Sequence, residues 1–205
     1  MTTEPTVSVV DDDPAYLESL SLCVTLMGLK TKCFSSPYEY ICQYDPTIPG
    51  CLILDVRMPK QSGLAVQEQL AKLSFRPAII FMSAYAEVPT ALRAMRQGAV
   101  DFLQKSASYD ELADAIQRAI AQDERCRSAL ERRNAIAARF AQLTVVEKQV
   151  LGRVIQGMPN KTIASKLGVS RRTVEDRRAR AMQKLEVESI PALVRVALEA
   201  TFSYE

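Results

Sequence analysis

Aspartates stand at the ends of two apolar segments of this 205-residue chain. Asp11, Asp12 and Asp13 follow the segment TVSVV, and Asp55 closes the segment CLILD. If these segments are neighbouring parallel strands, the residues at their carboxyl ends meet in one crevice. Carboxylates this close repel one another unless a cation joins them, and Mg²⁺ prefers oxygen ligands and retained waters. The pattern therefore predicts a magnesium site built by Asp11, Asp12 and Asp55.

A hydroxyl and an ammonium group follow two further apolar segments. Ser83 comes directly after AIIFM, and Lys105 lies shortly after VDFL. A hydroxyl can bond an oxygen of an anion, and a lysine offers a point charge suited to a phosphoryl group. Together with a carboxylate and a metal ion, these groups predict a phosphoryl-acceptor site. In such a site an aspartate attacks phosphorus while cations neutralise the oxygens.

These groups need a sheet to position them, and the first 122 residues alternate short apolar runs with amphipathic stretches. Strands are predicted at 6–10, 30–34, 51–55, 78–82 and 100–103. Helices are predicted at 14–27, 37–43, 63–73, 88–97 and 109–121. This alternation predicts an α/β fold with a doubly wound, five-stranded parallel sheet covered by helices on both faces.

The acidic segments carry a resemblance to a known family. VVDDDP, LDVRMP with Gly63, FMSA and Lys105 resemble the receiver domain of two-component response regulators, over about residues 4–122. The resemblance implies a flavodoxin-like fold and a sensor histidine kinase that phosphorylates Asp55. It implies Mg²⁺ ligands at Asp12, Asp55 and the backbone carbonyl of Arg57, with Asp11 acting partly through water.

The same resemblance implies a conformational switch made by Ser83 and Phe102. In that switch the hydroxyl moves onto the phosphoryl group and the aromatic ring turns inward behind it. One residue departs from the family pattern, because Ser106 stands where a proline usually follows the lysine. A cis peptide bond costs ~2.5–4 kcal/mol before serine, against ~0.5–1 kcal/mol before proline. We therefore expect a trans or strained bond before Ser106 and a locally shifted loop.

Residues 109–139 contain neither glycine nor proline and predict a long helix that continues from the first domain into a charged linker. Asp123 and Arg127 interrupt an apolar stripe along this helix. The stripe consists of Leu112, Ile116, Ile120, Leu130, Ile136 and Phe140. Two interpretations remain open, a coiled-coil dimer seam and a solvated spacer.

Start and stop signals predict short helices in the last third of the chain. Thr144 and Glu147 fit a capping box. The other predicted caps are Asn160, Ser170 and Ser189, the predicted stops are Gly157 and Gly168, and the last helix is expected to run to about Phe202. Two of these helices, joined by the segment LGVS, predict a helix-turn-helix unit.

The second of these two helices is strongly basic. Residues 160–184 hold eight lysines and arginines against two acidic residues. Val169, Val174, Ala181 and Leu185 are predicted to form its buried side, so the arginines should point outward. A basic helix led by a turn fits the major groove of double-stranded DNA. Aromatic residues that would stack on single-stranded bases are absent from this segment.

The segments LTVVEKQVL and GMPNKTIASKLGVSRRTVEDRRARAMQKLEVES closely resemble the LuxR-type helix-turn-helix over residues 143–201. Paired with a receiver, this domain is typical of the NarL/FixJ class of response regulators. The resemblance implies base-edge contacts by Glu175, Asp176 and Ala179. It implies phosphate contacts by Lys161, Arg172, Thr173 and Arg178. Acidic residues at base edges should prefer the amino group of cytosine or adenine.

Composition supports a division into two domains and a linker. Residues 1–122 hold 10 basic and 14 acidic residues, a net charge of −4, and residues 123–205 hold 16 and 10, a net charge of +6. We expect a receiver at 1–122, a helical linker at 123–140 and a DNA-binding domain at 141–205. The chain has no histidine, which excludes imidazole-based catalysis. The absence of a signal peptide or a long apolar run predicts a cytoplasmic protein without a membrane partner, with reduced and mostly buried cysteines.

The predicted function is a transcriptional regulator switched by phosphorylation. Phosphorylation should produce a homodimer that binds DNA and contacts RNA polymerase. One alternative is an enzyme with Asp55 as its nucleophile, but Arg57 stands where dehalogenase-type phosphatases carry a second aspartate, so turnover is not expected. The other alternative is a DNA-binding regulator that works without phosphorylation and uses its receiver to bind proteins.

Overall fold

The computed structural model describes residues 4–73, 75–85 and 87–200. The chain forms two compact units, Met1–Arg127 and Ser128–Glu205.

The first unit is organised around one parallel sheet. Its strands are β1 (Thr6–Val10), β2 (Lys30–Phe34), β3 (Gly50–Asp55), β4 (Ala78–Ser83) and β5 (Asp101–Gln104). Their order across the sheet is β2-β1-β3-β4-β5, and every neighbouring pair is parallel. All residues of β3 and β4 are buried, because these inner strands are covered on both faces. The predicted doubly wound five-stranded sheet is confirmed.

Helices cover both faces of this sheet. They are α1 (Pro14–Leu26), α2 (Pro37–Gln43), α3 (Gly63–Leu70), α4 (Val88–Arg96) and α5 (Tyr109–Ala141). The start of α5 packs with α1 on one face, and α2, α3 and α4 contribute to the core on the other. Helix α3 ends at Leu70, three residues before its predicted end. The side chains of Asp13, Ser36 and Ser62 cap α1, α2 and α3, so Asp13 serves the helix start.

The apolar stripe along α5 is used within the chain. Leu112 and Ile116 are buried in the core of the first unit, and Ile136 and Phe140 are buried in the core of the second. Asp123 and Arg127, predicted only as interruptions of the stripe, form an ion pair in which Asp123 is buried and Arg127 is partly buried.

This ion pair attaches α5 to the start of β3. The Asp123 carboxylate is 2.6 Å from Nε of Arg127 and accepts a hydrogen bond of 3.0 Å from the backbone N–H of Gly50. Arg127 also donates to the backbone carbonyls of Pro46 and Ile48, at 2.6 Å each. The two charged residues therefore hold the helix on the body of the first unit.

The second unit consists of α6 (Val145–Ile155), α7 (Asn160–Leu167), α8 (Arg171–Lys184) and α9 (Ile190–Glu199), together with the end of α5. The capping box of Thr144 and Glu147 is confirmed, and so are the caps by Ser170 and Ser189. Gly168 ends α7 with a left-handed backbone (φ 65°), which a glycine adopts without strain. Helices α7 and α8 form the predicted helix-turn-helix.

The structure corrects two details of the prediction, and a third lies outside the described residues. Asn160 does not cap α7, because Pro159 takes the extended cap position and Asn160 is the first helical residue. The cysteines are not mostly buried: Cys51 is buried and Cys23 is partly buried, but Cys33, Cys42 and Cys126 are exposed. The predicted end of the last helix at Phe202 lies outside the described residues.

Helices long and apolar enough to cross a bilayer do not occur in the described parts of the chain. Helix α5 spans 33 residues, but charged residues occur along its whole length.

Candidate functional site

Parallel register brings the acidic residues together at the carboxyl edge of the sheet. Val10 pairs with Leu54, so the residues that follow them, Asp11 and Asp55, become neighbours. One carboxylate oxygen from each of Asp11, Asp12 and Asp55 lies within 4.8 Å of the other two. Asp11 and Asp55 are only 1% and 5% exposed, whereas Asp12 is open to solvent. The predicted convergence of the three aspartates is therefore present.

Lys105 also reaches this acidic crevice. Its Nζ atom is 2.6 Å from Oδ2 of Asp11 and 3.3 Å from Oδ2 of Asp55. The backbone N–H of Lys105 donates to the carbonyl of Ser83, which fixes the residue beside the end of β4. The peptide bond before Ser106 is trans, as the cost of a cis bond before serine predicts.

Burial and neighbouring charges in the crevice shift the pKa values of Asp55 and Lys105. Burial raises the pKa of Asp55, the charge of Asp11 adds to the rise, and Lys105 and the backbone N–H of Arg57 offset part of it. Burial alone would lower the pKa of Lys105, but its contacts with Asp11 and Asp55 outweigh this and raise the pKa. Among the described residues, Lys105 contacts two of the three clustered carboxylates, and its one positive charge leaves the cluster with an excess of negative charge.

This donor set fits a hard divalent cation. The residues that could hold it supply only oxygen ligands, and the exposed position of Asp12 leaves room for waters of hydration. The excess negative charge would be relieved by a bound cation. Such an ion would have to share Asp11 and Asp55 with Lys105, which already contacts both carboxylates.

The segment after β3 is shaped by a close backbone approach. The backbone N–H of Arg57 donates to Oδ1 of Asp55 at 3.3 Å. A Cβ atom at Gly63 would lie 2.2 Å from the carbonyl oxygen of Asp55, so only glycine fits at this start of α3. The guanidinium of Arg57 forms an exposed ion pair with Glu87 just before α4. That ion pair was not foreseen from the sequence.

Ser83 is buried at the end of β4, and its hydroxyl is engaged with the following loop. The Oγ atom donates to the carbonyl of Tyr85 at 2.7 Å and accepts from the backbone N–H of Tyr85 at 3.3 Å. Phe102 on β5 is partly buried, with its ring centroid 6.2 Å from that of Phe81. Ser83 and Phe102 therefore lie on adjacent strands, one at the crevice edge and one behind it.

Tyr16 is a residue of this site that the sequence did not reveal. Its ring centroid is 4.5 Å from Nζ of Lys105. Burial raises the pKa of Tyr16, and the charges of Asp11 and Asp55 raise it further, so the phenol is neutral. In the sequence, Tyr16 stands out only as an aromatic residue shortly after an acidic run. Its spacing gives no reason to expect a contact with Lys105, 89 positions later.

The basic helix α8 presents a second candidate site in the second unit. Val174, Ala181 and Leu185 are buried, as predicted, and Val169 is partly buried. Its outward face follows helical spacing and is exposed at Arg172, Glu175, Asp176 and Ala179. Lys161 on α7 is exposed, and Thr173 and Arg178 are partly exposed. The predicted contact residues on α7 and α8 are therefore accessible to a partner, some of them fully and others only in part.

Glu175 already has partners within the second unit. Its Oε1 atom accepts a hydrogen bond of 2.9 Å from Arg171 and one of 3.5 Å from the side-chain amide of Asn160. These hydrogen bonds, with Arg171 first, lower the pKa of Glu175. Asn160 is thus a bridge from the start of α7 to α8, a role that its predicted capping function did not suggest.

Comparisons with known proteins match both units. The family described as "Response regulator receiver domain" matches residues 7–117, and the family described as "Bacterial regulatory proteins, luxR family" matches residues 141–197. The chain is 40% identical to the response regulator protein TmoT of Ectopseudomonas mendocina over 193 residues, covering 94% of this chain and 88% of TmoT. It is 36% identical to the transcriptional regulatory protein FixJ of Rhizobium meliloti over 200 residues, covering 98% of each chain.

Among solved structures, the response regulator StyR matches with a TM-score of 0.84 and 37% sequence identity. The match covers 96% of this chain and all of the StyR chain.

Proposed function

The chain belongs to the response regulators, with a receiver domain and a luxR-type DNA-binding domain, and from this premise we propose that phosphorylation of Asp55 controls its binding to DNA. The observation that carries the proposal is the convergence of Asp55 with Asp11, Asp12 and Lys105 in one crevice. The proposed donor is a sensor histidine kinase in the cytoplasm. The proposed domains are a receiver at 1–122, a linker at 123–140 and a DNA-binding domain at 141–205.

The transfer step follows from the groups in the crevice. A carboxylate oxygen of Asp55 attacks the phosphorus of the kinase phosphohistidine, the P–N bond breaks, and a P–O bond forms. Mg²⁺ would be held by Asp12, Asp55 and the carbonyl of Arg57, with Asp11 partly through water, and would neutralise phosphoryl oxygens. Lys105 supplies a second positive charge to those oxygens. Asp55 is the proposed acceptor, because the resemblance to receiver domains identifies this aspartate and it lies within reach of Lys105 and of the other two aspartates.

Ser83 and Phe102 are the proposed switch residues. Moving the Ser83 hydroxyl onto a phosphoryl oxygen breaks its two hydrogen bonds with Tyr85. The loop that leads into α4 then loses these two contacts with β4. Phe102 is only partly buried, and its ring is the group proposed to turn inward behind Ser83. The charge of about −2 on the phosphoryl group at pH 7 supplies the driving force for this rearrangement.

The released loop leads to a surface suited to a second copy of the chain. Val88, Leu92 and Met95 follow helical spacing along α4, and their exposed fractions are 69%, 51% and 43%. Large apolar side chains exposed on one helix face support its role as an interface. We expect two phosphorylated chains to pair through α4 and β5.

Pairing would present two copies of α8 to double-stranded DNA. Lys161, Arg172, Thr173 and Arg178 are the proposed phosphate contacts. Glu175, Asp176 and Ala179 are the proposed base contacts. Half-sites one helical turn apart, ~34–36 Å, would match a two-fold dimer. RNA polymerase is the proposed partner of the DNA-bound dimer.

The test compares the wild-type chain with Asp55→Asn. Both are incubated with Mg²⁺ and with or without acetyl phosphate. Phosphorylation is measured by intact mass, oligomeric state by light scattering, and DNA affinity by anisotropy with fragments selected from a random library. Asp45→Asn, an exposed aspartate in the loop after α2, is the matched control.

We expect acetyl phosphate to add one phosphoryl group to the wild type and to Asp45→Asn, to shift both toward dimers, and to tighten their DNA binding. Asp55→Asn should remain unmodified and monomeric. Equal DNA binding by all three proteins, with and without acetyl phosphate, would contradict the proposal and favour a regulator that works without phosphorylation.

A further inference from the structure

Lys105 is held in the acidic crevice by more than charge. Its side chain is 21% exposed, and its ammonium lies between two carboxylates and the face of the Tyr16 ring. A lysine side chain has four rotatable bonds and loses up to ~2 kcal/mol of conformational free energy when it is fixed. The chain therefore needs a partner that keeps this side chain in place.

The two carboxylates alone do not hold Lys105 in place throughout phosphoryl transfer. Asp55 is one of the two anions that Lys105 contacts, and it is the group whose charge distribution changes when it is phosphorylated. Asp11 is the other, and it would be shared with a bound cation. Both anionic partners are thus altered at the moment when the ammonium must meet the phosphoryl oxygens.

The Tyr16 ring is the partner that does not change. The carboxylate of Asp13 accepts hydrogen bonds from the backbone N–H groups of Ala15 and Tyr16, at 3.0 and 3.3 Å, and fixes the first turn of α1. Tyr16 also packs against the apolar core between α1 and the sheet. An aromatic face attracts a cation over a broad area, so the ammonium can shift toward a phosphoryl group without leaving the ring.

We infer that Tyr16 is a positioning residue for Lys105, whose ring holds the ammonium at the crevice while its anionic partners change. This inference rests on the proposed phosphorylation of Asp55. It assigns a function to Asp13 as well, because the Asp13 cap sets the position of the ring.

The experiment compares Tyr16→Phe, which keeps the aromatic face, with Tyr16→Leu, which keeps apolar bulk without it. The rate of phosphorylation by acetyl phosphate with saturating Mg²⁺ is measured for the full chain. We expect Tyr16→Phe to stay within about twofold of the wild type and Tyr16→Leu to be about three- to thirtyfold slower. Tyr38→Leu, a substitution at a tyrosine that is 77% exposed on α2, should not change the rate.

A role limited to packing is distinguished by the Lys105→Gln background. If Tyr16 acts through Lys105, Tyr16→Leu should have no further effect on the residual rate of Lys105→Gln. An equal slowing in both backgrounds would overturn the inference, and so would an unchanged rate in Tyr16→Leu alone.

A second measurement does not depend on phosphorylation. The ε-methylene protons of Lys105, assigned by their loss in Lys105→Arg, should be shifted upfield by the aromatic ring in the wild type and in Tyr16→Phe. Shifts equal to those of exposed lysines in both proteins would overturn the placement of the ring. If the wild type accepts no phosphoryl group, the proposed function fails and the effect on transfer fails with it. The proton shifts then still decide whether the ring holds Lys105.

Discussion

The acidic crevice and helix α8 use charge in opposite ways. In the crevice, Asp11 and Asp55 are almost fully buried and come from separate strands that the sheet brings together. On α8, the charged residues are adjacent in sequence and most are exposed to solvent. Buried charges act on one another through a weakly screened medium, whereas exposed charges are screened by water and salt. Burial therefore decides whether a charged group shapes its own site or remains available to a partner.

Local pairs show the same difference. Lys105 is held by two buried carboxylates and an aromatic ring, and its removal would leave those carboxylates without a counter-charge. Arg171 pairs with Glu175 on the exposed surface of α8, where an ion pair contributes little to stability. Loss of a cation from the crevice should therefore lower the stability of the fold. Loss of a cation from α8 should mainly weaken the binding of a polyanion.

The largest effect is expected from the partly buried pair of Asp123 and Arg127, outside both sites. Arg127→Leu leaves Asp123, whose side chain is 2% exposed, without its cation, and should lower the free energy of unfolding by about 3–5 kcal/mol. Arg125→Leu, at an exposed position on the same helix, should change it by less than ~0.5 kcal/mol. Tyrosine fluorescence during urea unfolding is a suitable probe, because the chain has no tryptophan and six of its seven tyrosines, at 16, 38, 40, 44, 85 and 109, belong to the first unit. Equal losses of unfolding free energy in the two variants would show that Asp123 does not depend on Arg127 as its counter-charge.

This pair also marks the limit of what the sequence could predict. The alternation of apolar runs and helices predicts the sheet, and parallel register then predicts that Asp11 and Asp55 meet, because both follow paired strands. No comparable rule connects Asp123 with Gly50, 73 residues earlier, or Tyr16 with Lys105. Those contacts depend on where a helix lies against a loop, which residue types and spacing do not specify.

Helix starts show the same limit on a smaller scale. Thr144, Ser170 and Ser189 are predicted correctly because a hydroxyl beside a helix start has a local partner in the backbone. Asn160 is predicted wrongly because Pro159, with φ −62° and ψ 147°, already has the extended geometry of a cap position. The Asn160 amide is then free to reach Glu175 on α8, a contact that only the folded unit provides.

Removal of the lysine from the crevice tests the balance of charge there. Lys105→Met should lower the free energy of unfolding of the first unit by about 2 kcal/mol at neutral pH, because Asp11 and Asp55 then repel each other without compensation. Millimolar Mg²⁺ should recover part of this loss. Lys161→Met, at an exposed lysine of α7, should show neither the loss nor the recovery. A Lys105→Met chain that is as stable as the wild type without Mg²⁺ would show that the two carboxylates do not need a cation.

A buried carboxylate in the second unit should behave as a pH-dependent contact. The ion pair with Lys184 lowers the pKa of Glu147, burial opposes this, and the capping box with Thr144 lowers it further. A lowered pKa stabilises the fold at pH values above the ordinary glutamate value of 4.5, and this stabilisation is lost as pH falls toward the lowered value. Glu147→Gln should therefore cost about 1–2 kcal/mol at pH 7 and progressively less on acidification.

The measurement is hydrogen exchange at the amides of the first turn of α6 in the full chain. Glu131→Gln, at an exposed position of α5, is the control, and its exchange should follow the wild type at every pH. A difference between wild type and Glu147→Gln that does not shrink at low pH would contradict the ionised contact.

The smallest effect is expected from a single exposed cation of α8, and it should be seen only in DNA binding. Arg172→Ala removes one proposed phosphate contact, so the slope of log affinity against log salt should fall by about 0.9, with roughly threefold weaker binding to non-specific double-stranded DNA. Its free energy of unfolding should stay within ~0.5 kcal/mol of the wild type, because Arg172 is exposed. Arg125→Ala, an exposed cation outside the second unit, should leave the slope unchanged. An equal change of slope in both variants would mean that DNA binding depends on the net charge of the whole chain. The contrast between α8 and the crevice would then not depend on the positions of the arginines on α8.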